Sequence, residues 1–210
     1  MKWWLKRFTD PESPMALTVK EWGYEKRIIM LKENNLVSPE NILDYIYAVL
    51  HSPTYRETYK EFLKIDFPRV PFTDSQEIFW KMSELWYRLR QLHLMEDISR
   101  ADLTTGYLGN GDNTVGTINA KSYDLIPALS SQEREKIGRV IINDTQYFDN
   151  VPLVAWEFYI WWYQPAQKRL KDRKDTTLSY EDVTHYQKII HILTKTSEIM
   201  GEIDEIWSSM

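Results

Sequence analysis

The chain contains no cysteine. This excludes disulfides, thiolate zinc sites, iron–sulfur clusters and cysteine nucleophiles, and it suits a reducing compartment. Long apolar runs are missing too: none approaches the ~18–20 residues of a membrane span. The first residues, Met1-Lys2-Trp3-Trp4-Leu5-Lys6-Arg7, are too short and too aromatic for a signal peptide, and no small-residue cleavage site follows. The expected location is cytoplasmic, without a membrane partner. Positive charge is also short, since 26 Lys and Arg stand against 31 Asp and Glu, for a net −5. A freestanding nonspecific nucleic-acid binder is usually basic, so this balance argues against tight electrostatic binding by the chain as a whole.

Catalytic signatures are equally scarce. Gly106-Tyr107-Leu108-Gly109-Asn110-Gly111 is neither a dinucleotide fingerprint nor a P-loop, and no Lys-Ser/Thr follows it. No G-x-S-x-G elbow is present. Of the four histidines, His185 and His191 share one predicted helix but sit six apart, so they cannot grip a metal as an i, i+4 pair would. The glycine-rich cofactor loop and Asn/Asp-Pro-Pro-aromatic motif of an adenine methyltransferase are both absent. Carboxylates are plentiful but fall on amphipathic faces beside lysines, as solvated helix surfaces do. The chain therefore reads as noncatalytic on its own, with no cofactor and no metal site.

What is present is a core-forming composition, 43% hydrophobic and 27% charged over 210 residues, with 9 Trp, 13 Tyr and 7 Phe. That suits one domain of ordinary globular character. Ser38-Pro39-Glu40 is a helix start: hydroxyl cap, proline at the first position, acid in the first turn. Ile42, Leu43, Ile46, Val49 and Leu50 would form its apolar face, and His51-Ser52-Pro53 ends it. A second helix is expected from Tyr55 to Phe62. Phe67 to Phe72 must be extended, because Pro68 and Pro71 cannot both lie inside a helix. Asp74 and Glu77 have capping-box spacing ahead of a long helix over 75–96.

From Thr104 the pattern changes. Gly106, Gly109, Gly111 and Gly116 are interleaved with Asn and Asp, as in turns between short strands. Val140-Ile141-Ile142 and Gln146-Tyr147-Phe148 read as strands about an Asn143-Asp144 turn. Helices return at 154–159 and 165–172, and Ser179 caps a final long helix from Tyr180 to Trp207. The expected class is α+β: mostly helical, with a small β-rich insert between N-terminal helices and a long C-terminal helix. The divisions are a helical segment or linker over 1–38, helices over 39–98, the insert over 99–150, and helices over 151–208.

One charge feature stands out. Lys168, Arg169, Lys171, Arg173 and Lys174 face only Asp172 and Asp175 in their segment, a local +3. The last helix carries the opposite sign. Such a segment can contact phosphates, since backbone contacts need only cations at the right height; it is equally a solvated helix end complementing the C-terminal dipole.

Two blocks carry a family resemblance. The first runs from Asn41-Ile42-Leu43-Asp44-Tyr45 through His51-Ser52-Pro53 and Tyr55-Arg56 to Phe62-Leu63-Lys64-Ile65-Asp66-Phe67-Pro68-Arg69-Val70-Pro71. The second comprises Gly138-Arg139-Val140, Tyr147-Phe148, Trp156 to Ile160, Tyr163-Gln164-Pro165-Ala166-Gln167-Lys168, Leu170 to Lys174, Leu178-Ser179 and Tyr186 to Ile190. Together they resemble the C-terminal region of type ISP restriction–modification enzymes and related adenine-N6 DNA methyltransferases. Departures are Trp161-Trp162 where the family usually has two glycines, Arg169 where a Trp is usual, and Asp175-Thr176 in place of a Gly-Arg turn.

The resemblance implies a target-recognition domain over 39–210 that reads double-stranded DNA beside a methyltransferase domain or subunit. It makes Lys168, Arg169, Lys171, Arg173 and Lys174 the expected phosphate contacts. A motif shared by enzymes that read different sequences cannot itself be the base reader. The reading side chains are therefore expected in the irregular insert: Asn110, Asp112, Asn113, Thr114, Asn119, Lys121, Asn143 and Gln146. The same Asn, Asp and Gly residues also suit turn geometry. The rival is a noncatalytic protein-interaction module that pairs with a partner subunit or with itself, favoured by the acidic charge, by Trp161-Trp162 and by the long amphipathic last helix.

Overall fold

The structure is a computed structural model that describes residues 33, 36–95, 98–126, 136–160 and 163–210. It has two compact units: residues up to Arg88 together with Met200–Met210, and Leu89–Ile199. The expected segment over 1–38 and the Trp161-Trp162 pair fall largely outside the described residues.

In the first unit, helix α1 spans Pro39–His51. Ser38 caps it in a reciprocal box with Asn41, whose side chain takes the Ser38 N–H at 3.1 Å. Its buried face differs from the apolar stripe expected. Asn41, Asp44, Tyr45, Ala48 and Val49 are inside, while Leu43 is 52% exposed. Counting apolar residues assigns polar Asn41 and Asp44 to solvent; hydrogen bonding is what lets polar side chains go inside. Asn41 Oδ1 receives both the Ser38 N–H and hydroxyl, and Asp44 is partnered as well.

The expected second helix is broken into α2 (Pro53–Thr58) and α3 (Lys60–Leu63) at Tyr59, whose backbone leaves the helical region. Ser52 both ends α1 and caps α2 by accepting the Tyr55 N–H. The extended stretch that follows is pinned by Tyr45. Its ring stacks on Phe72 and Phe79 at 5.1 and 5.3 Å. Its hydroxyl donates to Pro71 O and accepts from Thr73 N–H. Helix α4 (Gln76–His93) buries Phe79, Met82, Leu85 and Leu89. Its cap is Ser75 rather than Asp74, since the Ile78 N–H bonds to Ser75 Oγ and the helix begins one residue later than the box spacing suggested. Leu94 lies past the helix end and is 56% exposed.

The second unit is built on a four-stranded antiparallel sheet in the order β1-β4-β3-β2, with β1 Gly106–Leu108, β2 Tyr123–Leu125, β3 Ile137–Ile141 and β4 Tyr147–Pro152. The expected hairpin is therefore present, with Ile142 and Gln146 in its turn rather than in its strands. Gly138 is required where β3 shifts register: an added Cβ would lie 2.5 Å from both Asp124 O and the Tyr123 ring. Short α5 (Leu153–Trp156), α6 (Pro165–Lys171) and long α7 (Tyr180–Ser208) complete the chain.

The core of this unit joins sheet to helix. Val140, Ile142, Phe148 and Val151 pack with Ala166, Leu170, Tyr186, Ile190 and Leu193. The Phe148 ring lies between Tyr107 at 4.9 Å and Tyr186 at 4.4 Å. Each of the larger of these side chains contributes about 1.5–3 kcal/mol of transfer free energy. Along α7, Tyr186, Ile190, Leu193, Ile199 and Ile203 are all buried. The architecture is α+β, helical in the main, with one small sheet and a long C-terminal helix. Among the described residues no helix is long and apolar enough to cross a membrane.

Candidate functional site

Antiparallel pairing decides where the insert's loops go. Leu108 at the end of β1 faces Tyr147 at the start of β4. Ile141 at the end of β3 also faces Tyr147, and Tyr123 at the start of β2 faces Val140. The β1–β2 connection and the β3–β4 turn therefore leave the sheet at the same end. Every proposed base-reading residue lies in one of these two connections.

An amide network locks the two together. Gln146 is 2% exposed. It donates from Nε2 to Asn113 Oδ1 at 2.6 Å and accepts the Asn113 N–H at 2.9 Å. Asn143 donates to Gln146 Oε1 and to Thr114 O, and its Oδ1 receives the Thr145 and Gln146 N–H groups. Tyr107 closes the set by donating to Asn113 Oδ1 at 3.0 Å. Gly109 has φ +103, and a Cβ there would meet Thr145 O at 2.0 Å, so only glycine lets the loop come this close.

A second junction is long-range. The Val115 N–H bonds to Thr176 O at 3.1 Å, the Asp175 N–H to Val115 O at 2.8 Å, and the Leu178 N–H to Asn113 O at 2.9 Å. Thr114 and Thr177 lie opposite each other across this ladder. Asn113 and Asp175 adopt left-handed backbones, φ 62 and 59, which their residue types tolerate. The turn that follows the basic helix is thus stitched to the insert loop.

The candidates divide accordingly. Asn113, Asn143 and Gln146 spend their amides inside the network. Asn119 caps a short 3-10 turn by accepting the Lys121 N–H at 2.8 Å. The Thr114 hydroxyl lies 3.3 Å from that of Thr177. Asn110, Asp112 and Lys121 are exposed. The Thr114 N–H and hydroxyl hold the Asp112 carboxyl below its usual range.

Among the cations, Lys168 pairs with Asp172 at 2.8 Å, both side chains over half exposed. Lys171 donates to Gln167 Oε1 at 3.1 Å. Arg169 and Arg173 converge on Asp182 at 3.2 and 2.8 Å, and Lys174 is exposed at the ladder. Asp182 completes the α7 cap: its N–H bonds to Ser179 Oγ while its Oδ2 takes the Ser179 N–H. Burial pushes its carboxyl up, but the Ser179 N–H, Arg173, the Ser179 hydroxyl and Arg169 together hold it below the ordinary carboxylate range. Burial, with Arg169 next, pushes His185 down. Sequence reasoning missed Asp182 and Thr177. The Ser179-x-x-Asp182 spacing is a cap signal that could have flagged the first; nothing local marks the second. Among the described residues no group of three or more His, Asp and Glu is arranged to hold a metal ion.

Comparison with known proteins assigns this arrangement to a family. No curated protein matches the chain. Solved structures share the fold. A cryo-EM structure of a DrdV–DNA complex matches with TM-score 0.53 and 21% identity over 83% of this chain and 18% of that one. A nuclease-deletion mutant of the type ISP restriction–modification enzyme LlaGI, in complex with a DNA substrate mimic, gives 0.51 and 20% over 81% and 14%. The ATP-dependent type ISP restriction–modification enzyme LlaBIII, bound to DNA, gives 0.52 and 16% over 84% and 12%. The chain thus spans less than a fifth of the length of each. Residues 2–202 match the type ISP C-terminal specificity domain, a recognition rather than a catalytic unit, and the chain belongs to that family.

Proposed function

We propose that the chain is the noncatalytic module by which a restriction–modification enzyme recognises a sequence in double-stranded DNA, working beside an adenine-N6 methyltransferase domain or subunit. One observation carries this reading: the ladder between 113–115 and 174–178 joins the polar sheet-end loops to the end of the basic segment. A single surface then offers exposed cations for phosphates and exposed polar side chains for base edges, the two kinds of contact that DNA recognition separates. Lys168, Lys171 and Lys174 are the outermost cations of the segment. Asn110, Asp112 and Lys121, with Thr114 and Asn119 beside them, are the candidates for base readout. Asn113, Asn143 and Gln146 support them from within.

The test is selection from a random-sequence duplex pool at two salt concentrations. A short enriched motif, bound more weakly as salt rises, is the expected result. Lys171→Ala with Lys174→Ala should weaken all sequences alike. Asn110→Ala or Asp112→Ala should relax preference at one position of the motif. Absence of enrichment, with the methyltransferase neighbour attached, would overturn the proposal.

A second reading, a module that docks on another protein surface, has its own observation. Phe62, Ile65 and Phe67 are 73%, 84% and 89% exposed within one short stretch. The charges beside them cancel in pairs, Lys60 with Glu57, Lys64 with Glu61 and Arg69 with Asp66. A neutral apolar surface suits protein better than phosphate. Phe62→Ser with Phe67→Ser should abolish co-purification with the rest of the enzyme if this reading holds.

A further inference from the structure

The basic segment is less available than its charge suggests, because its two arginines are already occupied. Arg169 and Arg173 both form ion pairs with Asp182 Oδ1, and their side chains are 29% and 32% exposed against 17% for Asp182. The other carboxylate oxygen is held by the Ser179 backbone N–H. The acid is therefore fixed to the main chain at the start of α7 rather than free to swing away. Lys168 differs: its partner Asp172 sits one turn along the same helix and both side chains are more than half exposed. Pairs of that kind contribute about 0–1 kcal/mol and give way to a competing anion. Each arginine meets Oδ1 through one terminal nitrogen, and a carboxylate oxygen on a guanidinium competes directly with a phosphate oxygen for the same donors.

We infer that Asp182 acts as an internal stand-in for DNA phosphate, holding Arg169 and Arg173 out of backbone contact and so keeping affinity for random DNA low. This rests on the DNA-recognition reading and adds to it a device that sets selectivity. Phosphates then meet Lys168, Lys171 and Lys174, together with a clamp whose two arginines and one carboxylate sum to a single charge. Weak backbone attraction favours selectivity, because base contacts then make up a larger share of the difference between right and wrong sites.

The test is Asp182→Asn in the full chain. The amide oxygen still accepts the Ser179 N–H, so the cap is kept while the charge that holds the arginines is removed. Affinity for random duplex should rise about tenfold, and the dependence of log affinity on log salt should steepen by about one to two, near 0.9 per released cation. The ratio of specific to random binding should fall by the same factor. The triple variant Asp182→Asn, Arg169→Gln, Arg173→Gln should return the salt slope to that of the wild type. A role confined to the cap would not show that reversal. A salt slope unchanged in Asp182→Asn, or weaker binding of every duplex, would overturn the inference; the latter would mean that the held arginines contact phosphate where they stand.

Elution from immobilised heparin, a polyanion without bases, separates the two levels. Later elution of Asp182→Asn with no DNA binding by either protein would sink the DNA reading and leave the clamp standing. Equal elution would sink the clamp. If Asp182→Asn fails to fold, Arg169→Gln with Arg173→Gln serves instead. A salt slope shallower than the wild type by about two would contradict sequestered arginines.

Discussion

Gln146 and Asn113 exchange two hydrogen bonds across 33 residues of sequence, Nε2 to Oδ1 at 2.6 Å and backbone N–H to Oε1 at 2.9 Å. Gln146 is buried and Asn113 partly so, and removing the Gln146 amide leaves the Asn113 N–H without its acceptor while Asn113 Oδ1 keeps the Tyr107 hydroxyl. Gln146→Leu should therefore cost about 2–3 kcal/mol in urea unfolding. Amide exchange should speed up first at Asn113 and Thr114. An unfolding midpoint equal to that of the wild type would refute the claim that this pair holds the loop.

Two glycines should respond in opposite ways to alanine. Gly109→Ala drives a Cβ to within 2.0 Å of Thr145 O on a backbone with φ +103, so it should destabilise by more than about 2 kcal/mol. Gly201 lies within α7 with nothing within 4 Å of an added Cβ. Gly201→Ala should stabilise by about 0.5–1 kcal/mol from helix propensity alone. Thermal melts of the two variants test both directions at once.

Asp204 accepts from the Ser52 hydroxyl, the Thr54 N–H and the Thr54 hydroxyl. Burial pushes its carboxyl up, but the Ser52 hydroxyl and the two Thr54 donors outweigh that and hold it below its usual value. A lowered carboxylate stabilises the fold above its unfolded pKa, about 3.9, and this contribution is lost as pH falls through the lower folded value. Asp204→Asn should melt earlier than the wild type at pH 7, with the difference shrinking as pH is lowered below about 4. A difference that stays constant with pH would rule out the charged form as the stabilising species.

The Tyr186 hydroxyl is buried with no hydrogen-bond partner among the described residues. Burial alone pushes its phenol well above the ordinary value. The ring earns its position by packing against Phe148, so Tyr186→Phe keeps the packing and removes an unsatisfied group. It should raise stability by about 1 kcal/mol. A fall in melting temperature would show that the hydroxyl is satisfied after all.

Much of the helical framework was legible because local chemistry defines it. Ser38-Pro39 starts α1, Ser52-Pro53 separates it from α2, and Ser179 opens α7; each cap or proline acts within three residues of itself. The hairpin about Asn143 was legible for the same reason. The buried face of α1 was not, because Asn41 and Asp44 go inside on the strength of hydrogen bonds that spacing does not reveal. The site was half legible. Asn and Gly marked the loops correctly, yet the split between Gln146, buried, and Asp112, exposed, depends on pairing between residues thirty or more apart. The bond from Val115 to Thr176 spans still more sequence. Asp182 escaped notice because Arg169 lies on α6 and Arg173 in the turn after it, and a cap signal says nothing of the arginines it also holds.

The ladder joining 113–115 to 174–178 is made of main-chain groups, and main-chain groups are common to all residues. The course of the insert loop consequently depends on few residues: Gly109, the Asn113–Gln146 pair, and Asp112 and Asn119, which accept the Thr114 and Lys121 N–H groups. Asn110 and Lys121 can then be exchanged without re-forming the loop beneath them, whereas Asp112 also holds the Thr114 N–H at 2.9 Å; on the DNA-recognition reading, a change of recognised sequence becomes a matter of a few substitutions on an unchanged frame.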